Sequence, residues 1–125
     1  MAEFIHKELS YKLVGLTYEV YNTLGFGLLE KVYGNSFEEL LKKEGIPYQR
    51  EVYCSLKIRD VVVAKRYFDF IIDGKIVLEF KVGGGKYYDA YRQLLDYLKS
   101  SDMKLGIIIR FTREGVKVKR IPNIY

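Results

Sequence analysis

The 125-residue chain has one cysteine and no tryptophan. A single thiol, Cys54, cannot close an intramolecular disulfide or build a thiolate zinc site, and its scarcity fits a reducing compartment. Its ordinary role is that of a small strand hydrophobe. No uniform apolar run approaches the length of a membrane span, so a soluble, globular protein without membrane association is expected. Residues Met1 to Glu8 lack the apolar core of a signal peptide, so the expected location is cytoplasmic. Repeats, low-complexity tracts and linkers are also missing. One domain over residues 1–125 is expected, large enough for a core without disulfides or structural metal.

What is present is aromatic and basic. Twelve tyrosines accompany seven phenylalanines, and 21 basic residues outnumber 16 acidic ones for a net charge of +5. That balance favours a polyanionic partner, and tyrosine can stack on exposed bases, although most tyrosines belong in the core or at its boundary.

Leu9, Leu13, Leu16 and Val20 recur at helical spacing between about Glu8 and Leu24. Gly25-Phe26-Gly27 ends that helix with a glycine suited to a left-handed cap. A second helix is predicted from about Leu28 to Glu44, its apolar stripe formed by Leu29, Val32, Tyr33, Phe37, Leu40 and Leu41, weakened midway by Gly34. Glu30 falls in its first turn, where the helix dipole stabilises a negative charge by roughly 0.3–1 kcal/mol. The ordinary reading of Glu30 is therefore a favourable N-terminal charge. After Pro47, Tyr48 to Ile58 alternates as a strand with one solvated face, and Arg59-Asp60 turns into a second strand beginning at Val61.

The stretch from Arg66 to Lys81 is not explained by folding alone. Two β-branched and aromatic runs flank Asp73-Gly74, the signal of a hairpin, yet Asp69, Glu79 and Lys81 interrupt them. A two-residue loop would place Asp69 away from Glu79. A three-residue loop or a bulge shifts the pairing by one. It then puts Phe68, Phe70, Ile72, Ile76, Leu78 and Phe80 on the core side and gathers Asp69, Glu79 and Lys81 on the other. We adopt this register because it alone segregates both strands. Two carboxylates on one patch form a hard oxygen site suited to Mg²⁺, which takes one or two protein carboxylates and keeps several waters. Such a metal polarises a phosphoryl oxygen and lowers the pKa of bound water, with Lys81 placed to neutralise developing charge. A plain Glu79–Lys81 ion pair is equally compatible with the spacing.

Val82-Gly83-Gly84-Gly85-Lys86 fails the phosphate-loop pattern, which requires glycine where Phe80 stands and Ser or Thr where Tyr87 stands. It reads as a strand-to-helix turn. A third helix follows from about Tyr87 to Lys99, with Ala90, Leu94, Tyr97 and Leu98 inward and Gln93 one turn before Tyr97. Lys104 to Phe111 is an apolar strand covered on both faces, and Gly115 to Ile121 an edge strand guarded by lysine. The order is ααβββαββ. Because the third helix is a crossover, a mixed, twisted α/β (α+β) sheet flanked by helices is predicted.

Asp69 followed ten residues later by Glu79-Phe80-Lys81 resembles the D…(D/E)xK pattern of the PD-(D/E)XK nuclease superfamily, whose core order is αβββαβ. Gly27-Leu28-Leu29-Glu30-Lys31-Val32-Tyr33 is similar to the motif that names the GxxExxY family, a branch of it. Gln93-Leu94-Leu95-Asp96-Tyr97 resembles the QxxxY helix of related recombination and repair nucleases. Phe68 replaces the proline before the aspartate, a loose position in the superfamily. The resemblance implies Asp69 and Glu79 as ligands of Mg²⁺ or Mn²⁺, Lys81 as the catalytic lysine, Glu30 as a further acidic residue, and Gln93 with Tyr97 as site-shaping. It implies a nuclease acting on phosphodiesters, in DNA before RNA, through metal-activated water. Lys86 and Arg92 are expected to bind nucleic acid, and a homodimer is compatible with the small size. The alternative is a nucleic-acid-binding or assembly module that kept the fold without cleavage.

Overall fold

The computed structural model describes residues 5–84 and 88–123. Helices α1 (Lys7–Leu24) and α2 (Glu30–Glu44) precede strands β1 (Tyr48–Ile58), β2 (Val61–Ile72) and β3 (Ile76–Val82). Helix α3 (Tyr88–Lys99) then leads to β4 (Leu105–Thr112) and β5 (Gly115–Pro122). The five strands form one sheet in chain order. Its β1–β2, β2–β3 and β4–β5 pairs are antiparallel, while β3 and β4, joined by α3, run parallel. This is the predicted mixed α+β order ααβββαββ.

Helices cover both faces. On one, Leu13, Leu16, Phe37 and Leu41 of α1 and α2 pack on Phe70, Leu78, Phe80, Ile107 and Phe111. On the other, Leu94 and Leu98 of α3 pack on Ile71, Val77 and Ile108. Strand β4 is therefore buried on both sides, as its uninterrupted apolar run foretells, and Val77 buries the second face of β3 as well. Seating α3 depends on Gly106: a Cβ there would lie 2.8 Å from Leu94 Cδ2. Among the described residues no helix is long and apolar enough to cross a membrane.

Several local expectations are corrected. Gly25 ends α1 at φ 75°, ψ −170°, positive in φ but outside the left-handed helical region, and its N–H donates to Tyr21 O at 2.7 Å. Helix α2 starts at Glu30 because Leu29 is extended, at φ −66°, ψ 148°. Leu29 thus stands outside the apolar stripe and is 76% exposed, and Val32 is exposed as well. The buried stripe narrows to Tyr33, Gly34, Phe37 and Leu41.

The hairpin has the predicted three-residue loop, with Ile72 opposite Ile76 and Phe70 opposite Leu78. Its faces are not as predicted throughout. Phe70 and Ile72 join the α1/α2 core, whereas Phe68 joins the α3 core. Alternation requires every residue to be extended, and Glu51, across from Asp69 in the β1–β2 register, sits at φ 53°. The paired strands turn over together there: Tyr48 lies on the α1/α2 side, Val52 and Cys54 on the α3 side. Beyond this point the β1–β2 arm extends past the helices, with Ile58, Val61 and Val63 exposed.

Candidate functional site

The reason for two acids inside apolar strands lies in the hydrogen bonding. The β2–β3 ladder pairs Ile72 through Phe70 with Ile76 through Leu78. At the next position the side chains take over. Asp69 N–H donates to Glu79 Oε1 at 2.6 Å, and Phe80 N–H donates to Asp69 Oδ2 at 2.7 Å. Each carboxylate is thus aimed by an amide of the opposite strand.

Their setting disfavours two negative charges. Glu79 is buried, at 8% exposed. Burial first, then the charge of Asp69, push its carboxyl up to about 8, against the opposing effects of the Asp69 N–H and Lys81. Burial also raises Asp69, opposed by the Phe80 N–H, Lys81 and Arg50. Of the expected trio, Asp69 lines a cleft and Lys81 is near enough to act on both carboxyls. Asp69 forms part of the wall of an open cleft of about 350 Å³ with Glu30, Lys31, Gly34, Arg50 and Phe80, but Glu79 and Lys81 are not in that wall.

Glu30 is brought near by the start of α2. Tyr33 fixes that start: its buried phenol donates to Gly25 O at 2.6 Å and accepts from Leu28 N–H at 3.4 Å, while its ring stacks on Phe111 at 4.2 Å. The residue that reads as stripe in the sequence therefore ties the preceding loop to the helix. The Glu30 carboxyl is raised by burial first and by Asp69 second, with Lys81 opposing, although the residue as a whole is solvent-exposed. It senses the same charges as the strand pair.

Arg50, unremarked in the sequence, lies in the cleft wall. It donates to Glu38 Oε1 at 2.9 Å and lies 5.5 Å from the Phe70 ring centroid. Tyr48 O–H donates to the other Glu38 oxygen at 2.7 Å. Gly34, which reads as a weak point, admits the Arg50 guanidinium: a Cβ there would meet Nη2 at 2.8 Å. A glycine inside an otherwise good helix was the available signal for such an approach.

On α3, Tyr97 packs on Phe68 with ring centroids 5.1 Å apart. Burial and a hydrogen bond with Cys54 push its phenol up to about 12, and burial raises the Cys54 thiol, consistent with an unreactive strand residue. Gln93 is half-buried beside the core residue Leu94, and the hydrogen bonds to the carboxylates come from strand amides. Arg92 is exposed, 3.9 Å from Asp96. Lys86 lies outside the described residues. The sheet forms a basic row that sequence spacing does not reveal: Lys81 is opposite Arg110, and Arg110 opposite Lys117. Only the strand register brings these three side by side.

A divalent cation fits this donor set. Asp69 and Glu79 each use one oxygen on a backbone amide, leaving Asp69 Oδ1 and Glu79 Oε2 without a protein donor among the described residues. A hard cation would offset the burial that raises both carboxyls and the Asp69 charge that raises Glu79 further. Among the described residues no three His, Cys, Asp or Glu side chains converge as a metal cluster, so the protein offers a pair, with Glu30 as a nearby charge. Mg²⁺ commonly takes one or two carboxylates and retains water.

A family model described as the PD-(D/E)XK nuclease superfamily matches residues 7–121. The solved crystal structure of SSO0001 is similar in fold, with a TM-score of 0.57 at 22% identity over 74% of this chain. The chain spans 49% of the length of that protein. Comparison with curated proteins gave no significant match.

Proposed function

We propose that this chain, which belongs to the PD-(D/E)XK nuclease superfamily, is a metal-dependent nuclease of the GxxExxY branch that hydrolyses phosphodiester bonds, with DNA the favoured substrate. The observation that carries the reading is the Asp69–Glu79 pair, two carboxylates held by opposite strands, each with one oxygen that takes no donor among the described residues. Asn and Gln would close the same hydrogen-bonded rung, so folding alone gives no reason for both groups to be acids, since burial of a charge is costly without a partner. Asp69 and Glu79 would hold Mg²⁺ or Mn²⁺. When bound, the metal supplies Lewis-acid polarisation of the phosphoryl group and a more acidic water.

The remaining roles belong to side chains. Lys81 stabilises charge developing on the phosphate oxygens, an interaction that strengthens toward the transition state. Glu30, with its raised pKa, accepts a proton more readily than a free carboxylate does. Tyr97 holds β2 through Phe68, directly before Asp69, and Gln93 completes the polar side of α3. Arg110 and Lys117, in register with Lys81, and Arg92 with Lys86, bind backbone phosphates. We treat residues 1–125 as one domain.

The test is incubation of the purified protein with Mg²⁺ or Mn²⁺ and a panel of labelled DNA and RNA substrates. Metal-dependent cleavage is expected, abolished by Lys81→Ala while nucleic-acid binding stays nearly intact. A parent protein that binds metal yet hydrolyses none of the substrates overturns the nuclease reading. The net charge of +5 then supports the second reading, a nucleic-acid-binding module without turnover.

A further inference from the structure

We propose that the β1–β2 arm beyond Glu51 and Asp69 binds an unpaired segment of nucleic acid and leads it to the carboxylate site, so that the substrate contains single-stranded nucleic acid. The inference rests on the nuclease reading for its destination and on the arm's own surface for its ligand.

Beyond the turnover at Glu51, Val52, Cys54 and Phe68 belong to the α3 side. The alternating residues Tyr53 and Tyr67, opposite one another in the register, consequently face the α1/α2 side. No helix covers them: they are 47% and 69% exposed. Arg50 and Phe70, on that same side before the turnover, line the cleft together with Glu51 and Asp69. The tyrosine pair is therefore two residues from the cleft wall along both strands. Lys65 continues this face outward by the period of two, and Lys57 follows beyond the register shift between Leu56 and Lys57, both exposed.

Charge selects the occupant. Residues 53–67 hold Lys57, Arg59, Lys65 and Arg66 against the single acid Asp60. A second copy docking its arm here would bring two such basic surfaces together, whereas a phosphate backbone complements them. The rings refine the choice. Tyr53 and Tyr67 have centroids 5.3 Å apart, tilted by 57°. A base inserted between them would need about 7 Å, twice the ~3.5 Å contact distance of carbon atoms. The open surface is thus the outer face of Tyr67, and a base can stack there only if its own face is free of a duplex neighbour.

Because the chain contains no tryptophan, Tyr67→Trp provides a single reporter on the arm. Binding of a short oligothymidylate and of a blunt duplex is followed in EDTA by tryptophan emission and by anisotropy of labelled nucleic acid. The expected result is quenching by the single strand and not by the duplex. Replacing both Tyr53 and Tyr67 by Ala should weaken single-strand binding about five-fold or more, the lower end of base stacking on an aromatic ring, with an unchanged circular dichroism spectrum. Unchanged emission while anisotropy reports binding overturns the proposal, as does equal quenching by the duplex. Concentration-dependent self-association abolished by Val61→Lys also overturns it, assigning the arm to a second copy. Since no metal is present, the result is independent of turnover: a protein that binds through the arm but never cleaves contradicts the nuclease reading alone.

Discussion

Replacing Glu79 by Gln should stabilise the metal-free protein at pH 8 and abolish its stabilisation by metal. Burial and the charge of Asp69 push the Glu79 carboxyl up to about 8 in the folded protein, from an ordinary 4.5, so between these values the folded state binds more protons than the unfolded chain. Stability contributed by the proton is fully present below about pH 4.5 and is lost as pH rises toward 8, at about 1.4 kcal/mol per unit where the populations differ by one proton. Integrated to pH 8 the loss is on the order of 4 kcal/mol, a large share of the ~5–15 kcal/mol typical of a domain. Asp69, also raised, adds to it with the same sign. Gln retains an oxygen for the Asp69 N–H and removes the charge that repels Asp69. Urea unfolding monitored by circular dichroism in EDTA, from pH 5.5 to 8, should show the parent weakening and E79Q nearly level. Added Mn²⁺ should restore the parent at pH 8 and leave E79Q unmoved. A metal-free parent whose stability holds level or rises across this range would refute the reasoning, because the pair would then not be an uncompensated charge.

Three further outcomes test the supporting structure. Gly106→Ala should cost about 1–3 kcal/mol in chemical unfolding, since its Cβ would meet three Leu94 side-chain atoms within 3.1 Å. Tyr33→Phe should cost about 1–2 kcal/mol by leaving the Gly25 carbonyl without its 2.6 Å donor, and cleavage should fall with it as Glu30 loses its fixed start. Charge reversal at Lys117, opposite Arg110 in the basic row, should weaken DNA binding at low salt and lessen its dependence on salt, measured by anisotropy.

The order of elements was legible because each carries a clear period: 3–4 in Leu13, Leu16 and Val20, and continuous burial in Leu105 to Ile109. The hairpin register was legible because only a three-residue loop kept Phe70 and Leu78 together. The turnover at Glu51 was not, since nothing in Arg-Glu-Val marks a left-handed residue, and Phe68 was misassigned with it. Leu29 failed for a different reason. Any leucine near a helix start fits an apolar stripe, and only backbone conformation shows that the helix begins one residue later. At the site, the residue types announced acid chemistry, whereas the amide bonds to Asp69 and Glu79 depend on how the strands meet and could not be inferred. Arg110 and Lys117 were similarly hidden, joined to Lys81 only by pairing across the sheet.

The bonds from the Asp69 and Phe80 amides make the acidic pair a structural rung, whatever chemistry it also performs. Truncating Asp69 to Ala strands the Phe80 N–H, at about 1–3 kcal/mol if it stays buried, and truncating Glu79 does the same to the Asp69 N–H. An inactive alanine variant therefore cannot separate lost metal from an opened hairpin, whereas Asn and Gln keep the rung closed. Inheritance follows the same logic. A descendant that had abandoned hydrolysis would still be held to the two acids, or to isosteres, by its need to fold. Lys81, which closes no rung, would be released first. In a nuclease built this way the lysine, more than the pair of acids, would mark turnover under selection.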